Sequence, residues 1–534
     1  MKKIPQILIP LSIAILLRLY PTISSGQPFS VDAWSPIRNS ELLIEHSPIS
    51  LGEDKIFDGY NNYWPAVSIF GALLANTVDA KPKETMAVAV PLTASLTVII
   101  LYALLSRALS SPKPALFAST LLASAFPYSL FTAGVTKETY ASPLYLLLIL
   151  TPILYKCDWR QIIIITISSM GLVLSHHLTA LIAAASLGGM TLARLIVGIE
   201  GRPGREWTVI LPFLILTTVG GIYFASFAYR GLKVTLTIND LLSAASYQTI
   251  AFAITLYFAT RTKRKHSIRT VLSSSTLALT GLLFMLLCTV KPITPDAPTL
   301  PLHYALHAAP YILPSPLIIL GFQEARGKEN FPLLFWLACI LGLEAYAIFG
   351  NPPVGLTLIY RTLNFLCAPL AVFTAIGLHA LFPEKEGFNR RHHINLAAAG
   401  CLLLLTALNS YGVYAAVNLQ ERFLGYFWLY TGQEYEAAEW ISKAVGSQRV
   451  AGDVKVLYLL KGYFNKDVDV TQGLLYLTGG SSAKPRILFT YNRMLNNGYV
   501  VYQGLSANLP AEWTVKASYM SQVYCNGEVK IFSS

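Results

Sequence analysis

Asp32 is the first acidic residue of the chain, and it follows the first long apolar segment, residues 4–21. Trp34 comes two residues later, and the polar stretch continues to His46. An ionised carboxylate at such a place can take a proton from an attacking hydroxyl group, or it can bind a divalent metal ion. We therefore predict that Asp32 is a catalytic base, and that Trp34 and His46 contact the acceptor or the outer C-terminal domain. An ordinary acidic loop is the alternative interpretation.

Two further groups of polar side chains stand in short gaps between apolar segments. Lys137 and Glu138 form one group, and His176 and His177 form the other. We predict that Lys137 and the two histidines bind a phosphate group, because cationic side chains suit phosphate. The alternatives are a charge pair anchored among lipid headgroups and a structural role for the histidines.

Arg361 lies just inside a late apolar segment, residues 358–382. The guanidinium group presents a fixed fork of donors that suits a phosphate, although an arginine there can also extend its charge to the membrane surface without a ligand. We predict that Arg361 binds the phosphate of a donor substrate. These residues together predict sugar transfer from a lipid-linked phosphate, in which cations hold the leaving phosphate while Asp32 takes the acceptor's proton.

The composition predicts the elements that position these residues. The chain has 534 residues, of which 54% are hydrophobic and 13% are charged, whereas soluble proteins carry about 25% charged residues. We predict a polytopic α-helical membrane protein. We attribute the net charge of +12 to cytoplasmic loops rather than to nucleic-acid binding. The cysteines show no metal-ligand spacing, which argues against a zinc site or a disulfide framework.

Thirteen apolar segments are candidates to cross a membrane, which takes about 20 residues each. They are residues 4–21, 85–106, 115–134, 139–155, 160–175, 177–198, 208–228, 241–260, 268–290, 303–322, 331–349, 358–382 and 394–416. A shorter apolar run, residues 63–78, is predicted to lie along the outer surface of the cell membrane, because only then do the basic loops fall on one side. The N-terminus is then cytoplasmic and the C-terminal region extracytoplasmic.

The composition of the chain changes after residue 416. Residues 417–534 carry alternating charges, a predicted helix at residues 434–445 and strand-like runs such as residues 486–490. We predict a transmembrane domain over residues 1–416, with a first outer loop at residues 22–84. The remaining residues are predicted to form a small extracytoplasmic α/β domain.

This order of elements resembles the GT-C superfamily of polyprenyl-phosphate-dependent glycosyltransferases, above all the catalytic subunit of archaeal and bacterial oligosaccharyltransferase. Asp32 stands where that family has an acidic residue in the first outer loop. Glu138 matches the second acid of the family's Asp-x-Glu motif, with Thr136 in place of the first, and the resemblance implies that Glu138 is a second catalytic carboxylate. Arg361 matches an arginine of a late span. Of the Trp-Trp-Asp-Tyr-Gly motif that reads the acceptor sequence, only Asp453 has a match.

The resemblance implies a GT-C-like membrane glycosyltransferase that moves a hexose or pentose from polyprenyl or dolichyl phosphate to a glycan, lipid or protein acceptor. Because Lys137 adjoins Glu138 and repels a cation, we expect no cofactor. Binding of Mg²⁺ or Mn²⁺ by Asp32 and Glu138 is the alternative. The incomplete acceptor motif makes protein N-glycosylation by an oligosaccharyltransferase the second hypothesis. A transporter or flippase for lipid-linked glycans is the third, although the sequence shows no internal repeat.

Overall fold

The structure is a computed structural model. It describes residues 4–46, 60–109, 111–154, 158–198, 207–231, 237–260, 268–291, 299, 301–327, 330–350, 352, 355–382, 388–420 and 425–534. Its helices are α1 (Ile4–Ser25), α2 (Trp34–Glu45), α3 (Ala66–Val78), α4 (Pro82–Ala108), α5 (Pro112–Ser124), α6 (Tyr128–Phe131), α7 (Lys137–Leu150), α8 (Trp159–Ser175), α9 (His177–Gly198), α10 (Trp207–Ser226), α11 (Ile238–Thr260), α12 (Ile268–Val290), α13 (Tyr304–Ile312), α14 (Ser315–Glu324), α15 (Phe331–Phe349), α16 (Gly355–Leu381), α17 (Phe388–Tyr414), α18 (Gly432–Ala444), α19 (Val454–Gly462), α20 (Val470–Leu477), α21 (Met494–Asn497) and α22 (Trp513–Ser518).

Ten helical stretches within the described residues are long and apolar enough to cross a membrane. They are Gln6–Ser25, Pro82–Ala108, His177–Ile196, Trp207–Ser226, Ile238–Thr260, Ser273–Val290, Tyr304–Glu324, Phe331–Phe349, Thr357–Leu381 and Leu396–Leu419. This confirms the predicted class of polytopic α-helical membrane protein, whereas the number of thirteen spans stays a prediction. The apolar run at residues 63–78 contains α3, a helix of 13 residues, and its position on the membrane surface also stays a prediction.

The predicted span at residues 115–134 is not one helix. Helix α5 ends at Ser124, and the short helix α6 begins only after Pro127. Proline has no backbone N–H group and disfavours the helical conformation in the residue before it, so the helical hydrogen bonds stop at this point. The apolar composition continues through the break, which is why the sequence pattern predicts a continuous span.

The chain forms two compact units. The helical unit consists of Met1–Leu17, Thr93–Phe131 and Ala141–Val413, and the mixed unit consists of Arg18–Leu92, Thr132–Tyr140 and Tyr414–Ser534. The first-loop helices α2 and α3 therefore belong to the same unit as the C-terminal residues. The domain boundary between residues 416 and 417 stays a prediction.

The helical unit is held together by close helix packing and buried hydrogen bonds. The indole N–H of Trp336 on α15 donates to the hydroxyl of Tyr145 on α7 at 2.9 Å, and both side chains are buried. Helices α14 and α16 approach so closely that a Cβ on Gly321 or Gly377 would collide with a carbonyl oxygen of the opposite helix. Small residues that permit such approach are the usual basis of helix association within a membrane.

The mixed unit contains a five-stranded sheet in the order β2-β1-β3-β7-β6. Its strands are β1 (Val450–Ala451), β2 (Val468–Asp469), β3 (Ile487–Tyr491), β6 (Ser521–Cys525) and β7 (Val529–Ser533), while β4 (Tyr499–Val500) pairs with β5 (Ser506–Ala507). Strand β1 runs parallel to β2 and β3, and β7 runs antiparallel to β3 and β6. Helix α18 matches the helix predicted at residues 434–445, and the small C-terminal α/β fold is confirmed.

Candidate active site

Asp32 lies in a single 3₁₀ turn, Val31–Ala33, which leads directly into α2. Ser30 begins this turn with a left-handed backbone (φ 89°), and its hydroxyl oxygen accepts a hydrogen bond from the N–H of Asp32 at 3.2 Å. The N–H of Ser30 donates to the carbonyl oxygen of Trp428 at 2.9 Å. The backbone before Asp32 is therefore fixed, and the half-buried side chain of Asp32 has a defined position.

Trp34 fixes the chain on the other side of Asp32. Its indole ring is fully buried and contacts three tyrosines. Tyr430 and Tyr463 lie edge to face with it, at ring-centroid distances of 5.2 and 5.6 Å, and Tyr435 is stacked on it at 5.7 Å. These are the contacts of a core residue that positions Asp32. The acceptor contact expected of Trp34 stays a prediction.

A backbone hydrogen bond joins the segment before Asp32 to the segment before Lys137. The N–H of Val135 donates to the carbonyl oxygen of Phe29 at 3.1 Å. Both segments pack with α2, α3 and the start of α4 on one small apolar core, whose buried members are Ala33, Ile37, Val67, Met86, Val90 and Val135. The same packing therefore positions the Asp32 turn and the segment that carries Lys137.

Lys137 and Glu138 occupy the first turn of α7. Thr136 caps this helix, since its hydroxyl oxygen accepts a hydrogen bond from the N–H of Thr139 at 3.0 Å. Glu138 is buried, and the helix dipole stabilises a carboxylate in the first turn. Thr136 thus has a structural role in starting the helix.

The ammonium group of Lys137 lies against two aromatic rings. Its Nζ is 4.0 Å from the ring centroid of Tyr60 and 5.6 Å from that of Trp64, and the two rings are 5.0 Å apart. Attraction between the cation and the ring faces holds the charge in place. Tyr60 is 41% exposed, so this group, the Lys137 cluster, reaches the protein surface. A fixed cation of this kind is suited to binding an anionic group.

The far end of α2 carries an ionic network. The carboxylate of Glu41 accepts a hydrogen bond from the hydroxyl of Tyr463 at 2.7 Å and lies 3.3 Å from Arg38 Nη1. Burial raises the pKa of Glu41 above its usual value. The exposed His46 has its Nε2 3.8 Å from Glu45 Oε2, and its contact with an acceptor stays a prediction.

Asp453 is fully buried at the start of α19. Its carboxylate accepts hydrogen bonds from the hydroxyl of Tyr491 at 2.5 Å, from the N–H of Val456 at 3.0 Å and from the N–H of Val500 at 3.2 Å. Desolvation by burial raises the pKa of Asp453 to about 6, against the opposing effect of these bonds. The bonds favour a structural role, and acceptor recognition by Asp453 stays a prediction.

The two histidines lie in the helical unit at the junction of α8 and α9. The Nδ1 atom of His176 is 2.7 Å from the hydroxyl of Thr179, and the N–H of Thr179 donates to it at 3.4 Å. His176 is therefore buried and caps α9, while His177 begins that helix with its ring centroid 5.1 Å from that of His176. Phosphate binding by either histidine stays a prediction.

Arg361 also lies in the helical unit, on α16. Its guanidinium carbon is 5.4 Å from the ring centroid of Phe131 and 5.9 Å from that of Tyr360. Stacking on aromatic faces restricts the orientation of the guanidinium plane, as a phosphate-binding role requires. The helical unit thus contains Arg361 and the two histidines, and the mixed unit contains the other predicted site residues.

Two polar groups of the helical unit were missed by the sequence analysis. Glu344 in α15 accepts a hydrogen bond from the hydroxyl of Thr362, next to Arg361. His307 is buried, with its ring stacked on Tyr411 at 5.6 Å. The sequence could have indicated Glu344, because it is the single carboxylate inside the apolar segment Phe331–Phe349. Charged residues are costly in a membrane and are usually functional.

No group of three or more histidine, cysteine, aspartate or glutamate side chains is placed to hold a metal ion in the part of the chain that the structure describes. Asp32 and Glu138 supply two carboxylates from neighbouring segments, and a ligand set limited to them would need water or substrate oxygens to complete it. Metal independence therefore stays a prediction.

No protein-family model and no curated protein matches this sequence. Solved structures do match. The Archaeoglobus fulgidus oligosaccharyltransferase in its apo form has a TM-score of 0.61 at 13% identity, over 98% of this chain and 73% of that one. The archaeal oligosaccharyltransferase AglB from Archaeoglobus fulgidus, in complex with an inhibitory peptide and a dolichol-phosphate, has a TM-score of 0.60 at 14% identity, over 92% and 69%.

A bacterial protein of a different kind shares the same architecture. ArnT from Cupriavidus metallidurans, bound to undecaprenyl phosphate, matches with a TM-score of 0.52 at 10% identity, over 98% of this chain and 97% of that one. Identities this low show the fold alone. The chain therefore has the GT-C fold, and the resemblance drawn from the sequence is confirmed at that level.

Proposed function

We propose that this chain is a membrane glycosyltransferase that moves a sugar from a polyprenyl- or dolichyl-phosphate donor to an acceptor on the extracytoplasmic face. The observation that carries the proposal is the common core beneath the Asp32 turn and the segment of Lys137 and Glu138. That core holds a carboxylate and a cation in fixed positions, as acid–base and phosphate chemistry require. The similar structures bound to dolichol-phosphate and undecaprenyl phosphate support the class of donor.

In the proposed reaction, Asp32 acts on the acceptor and Lys137 on the donor. The Asp32 carboxylate takes the proton from an acceptor hydroxyl, whose oxygen forms a bond to the anomeric carbon of the sugar. The bond between that carbon and the phosphate oxygen breaks, and the lipid phosphate leaves with the electron pair. Lys137 stabilises the charge that develops on this phosphate. We assign phosphate binding to Arg361, His176 and His177 as well.

The proposed reaction uses no metal ion. Lys137 supplies a positive charge beside Glu138, and its cation–π contacts support a fixed position, so a cation is already present for the phosphate. A divalent ion bound by Asp32 and Glu138 is the alternative. One similar structure is described as the Archaeoglobus fulgidus oligosaccharyltransferase in complex with Zn and sulfate. When bound, such an ion would stabilise negative charge on the donor phosphate.

The second candidate function is oligosaccharyl transfer to protein. The higher TM-scores of the two oligosaccharyltransferase structures than of ArnT favour it. Against it, the position of the acceptor-reading motif is occupied by the start of α19, where Asp453 bonds to backbone and tyrosine groups of its own unit. The monosaccharide donor therefore remains the primary proposal.

Transfer assays with defined substrates separate the two candidates. The purified protein should release dolichyl phosphate from dolichyl-phosphate-linked mannose or glucose, with activity retained in excess chelator. Comparison of surface glycans with and without the protein should then identify the modified acceptor. Transfer to an Asn-x-Ser/Thr peptide from a lipid-linked oligosaccharide, lost in chelator and restored by Mg²⁺ or Mn²⁺, would instead establish the second candidate.

A further inference from the structure

Asn62 is a buried carboxamide whose hydrogen-bonding groups are unused. It lies in the 3₁₀ turn Tyr60–Tyr63 and is 1% exposed. Neither its Oδ1 nor its Nδ2 has a hydrogen-bond partner among the described residues. Leaving both groups of a buried amide unpaired costs free energy, and native proteins keep few such groups.

Asn409, a buried asparagine of the helical unit, shows what a structural amide looks like. Asn409 on α17 accepts a hydrogen bond from the N–H of Phe126 at 2.9 Å through Oδ1. Its Nδ2 donates to the carbonyl oxygen of Leu405 at 2.8 Å. Asn409 therefore contributes to the fold with both of its polar atoms, whereas Asn62 contributes with neither.

The position of Asn62 connects it with the Lys137 cluster. Tyr60, in the same turn, has its ring centroid 4.0 Å from Lys137 Nζ, and Trp64, two residues after Asn62, has its ring centroid 5.6 Å from the same atom. The unpaired amide thus lies two residues from each of the aromatic residues that contact the cation to which we assign the donor phosphate. The sugar is attached directly to that phosphate, so a group beside the phosphate site is well placed to contact it.

We propose that the carboxamide of Asn62 binds hydroxyl groups of the transferred sugar, an inference that rests on the proposed function. A carboxamide presents two N–H donors and one carbonyl acceptor. An ionised phosphate only accepts hydrogen bonds and would leave Oδ1 unpaired, whereas neighbouring sugar hydroxyls both donate and accept. The sugar therefore pairs both ends of the amide, and Asn62 determines which sugar the site accepts.

Binding of three lipids by the full-length protein tests this assignment. The probes are dolichyl phosphate, dolichyl phosphomannose and dolichyl phosphoglucose. Of the two sugar-bearing lipids, wild-type protein should bind one more tightly. In Asn62→Leu, the affinity for that lipid should fall about tenfold to hundredfold, because a site built for hydrogen bonds loses them. The affinity for dolichyl phosphate should stay unchanged, and Tm should be equal or higher because an unpaired amide is replaced by an apolar group of similar size.

Two control variants separate binding from folding. Asn409→Leu should lower Tm, because it removes two hydrogen bonds, and should leave the relative affinities for the three lipids unchanged. Lys137→Met should weaken the binding of all three lipids alike. If Asn62→Leu does not fold, Asn62→Ala adds no bulk and should give the same selective loss of sugar-bearing lipid.

The outcomes distinguish this inference from the proposed function. If wild-type protein binds none of the three lipids, the proposed donor is wrong. If it binds them and Asn62→Leu either binds all as tightly as wild type or loses dolichyl phosphate equally, the assignment to the sugar is wrong. Wild-type protein that does not distinguish the sugar-bearing lipids from dolichyl phosphate would overturn it as well.

Discussion

The Asp32 turn and the junction at His176 are held in different ways. His176 is fixed by Thr179, three residues away on the helix that it caps. Asp32 is fixed by Ser30, whose N–H bonds to Trp428, and by Trp34, whose ring packs on Tyr430 near the other end of the chain. The geometry of Asp32 therefore depends on tertiary packing, whereas that of His176 depends on local structure. Substitutions in the partners of Asp32 should affect both stability and rate.

The largest effect is expected when Asp32 itself is changed. Asp32→Asn keeps the shape of the side chain but cannot take a proton, so sugar transfer should slow by about 10²–10⁴-fold, with Tm and donor affinity unchanged. Initial rates of transfer measure this. Glu45→Gln, at the exposed end of α2, is the matched control and should keep a nearly wild-type rate. Wild-type transfer by Asp32→Asn would exclude the residue from catalysis.

The second-largest effect is expected when the tertiary packing around Asp32 is disturbed. Trp34→Ala removes a fully buried indole and should lower the free energy of unfolding by about 3–5 kcal/mol. Transfer should also slow at temperatures where the variant is still folded, because the Asp32 turn loses its anchor. Thermal unfolding and transfer rates together check both parts. Trp159→Ala, at a residue that is 66% exposed, should change either quantity much less.

Equal stability of Trp34→Ala and wild-type protein would contradict the role of the aromatic contacts. A loss of stability without any change in the transfer rate of the folded fraction would show that the Asp32 turn keeps its geometry without Trp34.

A third effect, on the dependence of stability on pH, concerns Asp453. Its pKa of about 6 in the folded protein lies above the ordinary value of 3.8, so its protonation favours the folded state. The stabilisation is fully present below the unfolded-state pKa and is lost as the pH rises through the folded-state value. The difference between these two pKa values corresponds to roughly 3 kcal/mol of stability, lost from about pH 3 to about pH 7.

Asp453→Asn should remove this part of the pH dependence, and denaturant unfolding of the protein at several pH values measures it. The control is Asp467→Asn, at a carboxylate whose side chain is 70% exposed, which should leave the profile as it is. An unchanged profile in Asp453→Asn would show that other groups control the pH dependence.

The smallest of these effects is expected at Arg361. Arg361→Ala should weaken binding of dolichyl phosphate by about tenfold to hundredfold, since hydrogen bonds to charged groups contribute about 1.5–3 kcal/mol. Lysine should restore little of the affinity, because it lacks the planar fork. Arg230→Ala removes an exposed arginine that also lies on a tyrosine ring, 5.5 Å away, and should bind the lipid normally. Unchanged affinity in both Arg361 variants would remove this residue from the donor site.

The elements that could be predicted from the sequence are those with a strong local pattern. Helix α18 is capped by Thr431, whose side chain accepts a hydrogen bond from the N–H of Glu434, while the Glu434 carboxylate accepts one from the backbone N–H of Thr431. This capping box, followed by buried Ala437 and Ile441, is visible in the sequence. Long apolar runs likewise predict membrane helices, because the bilayer requires them.

The side-chain environments of the site could not be predicted in the same way. From the sequence, Asp453 is predicted only as the one match to an acceptor motif. Its hydrogen-bond partners Val500 and Tyr491 come from other elements and could not be predicted. Nothing near Trp34 in the sequence indicates that distant tyrosines bury it. Such contacts depend on how separate segments pack, and no local pattern carries that information.

The contact between Trp34 and Tyr430 also affects how the protein is made. The Asp32 turn is synthesised early, but the residues that bury Trp34 are translated only after the membrane helices. The turn therefore cannot reach its final geometry until synthesis of the chain is nearly complete, and long-range pairing of this kind is slow to form. A chain released before residue 463 would lack Tyr463, one of the three rings that pack on Trp34. Partly synthesised chains would therefore be inserted in the membrane without an ordered Asp32 turn.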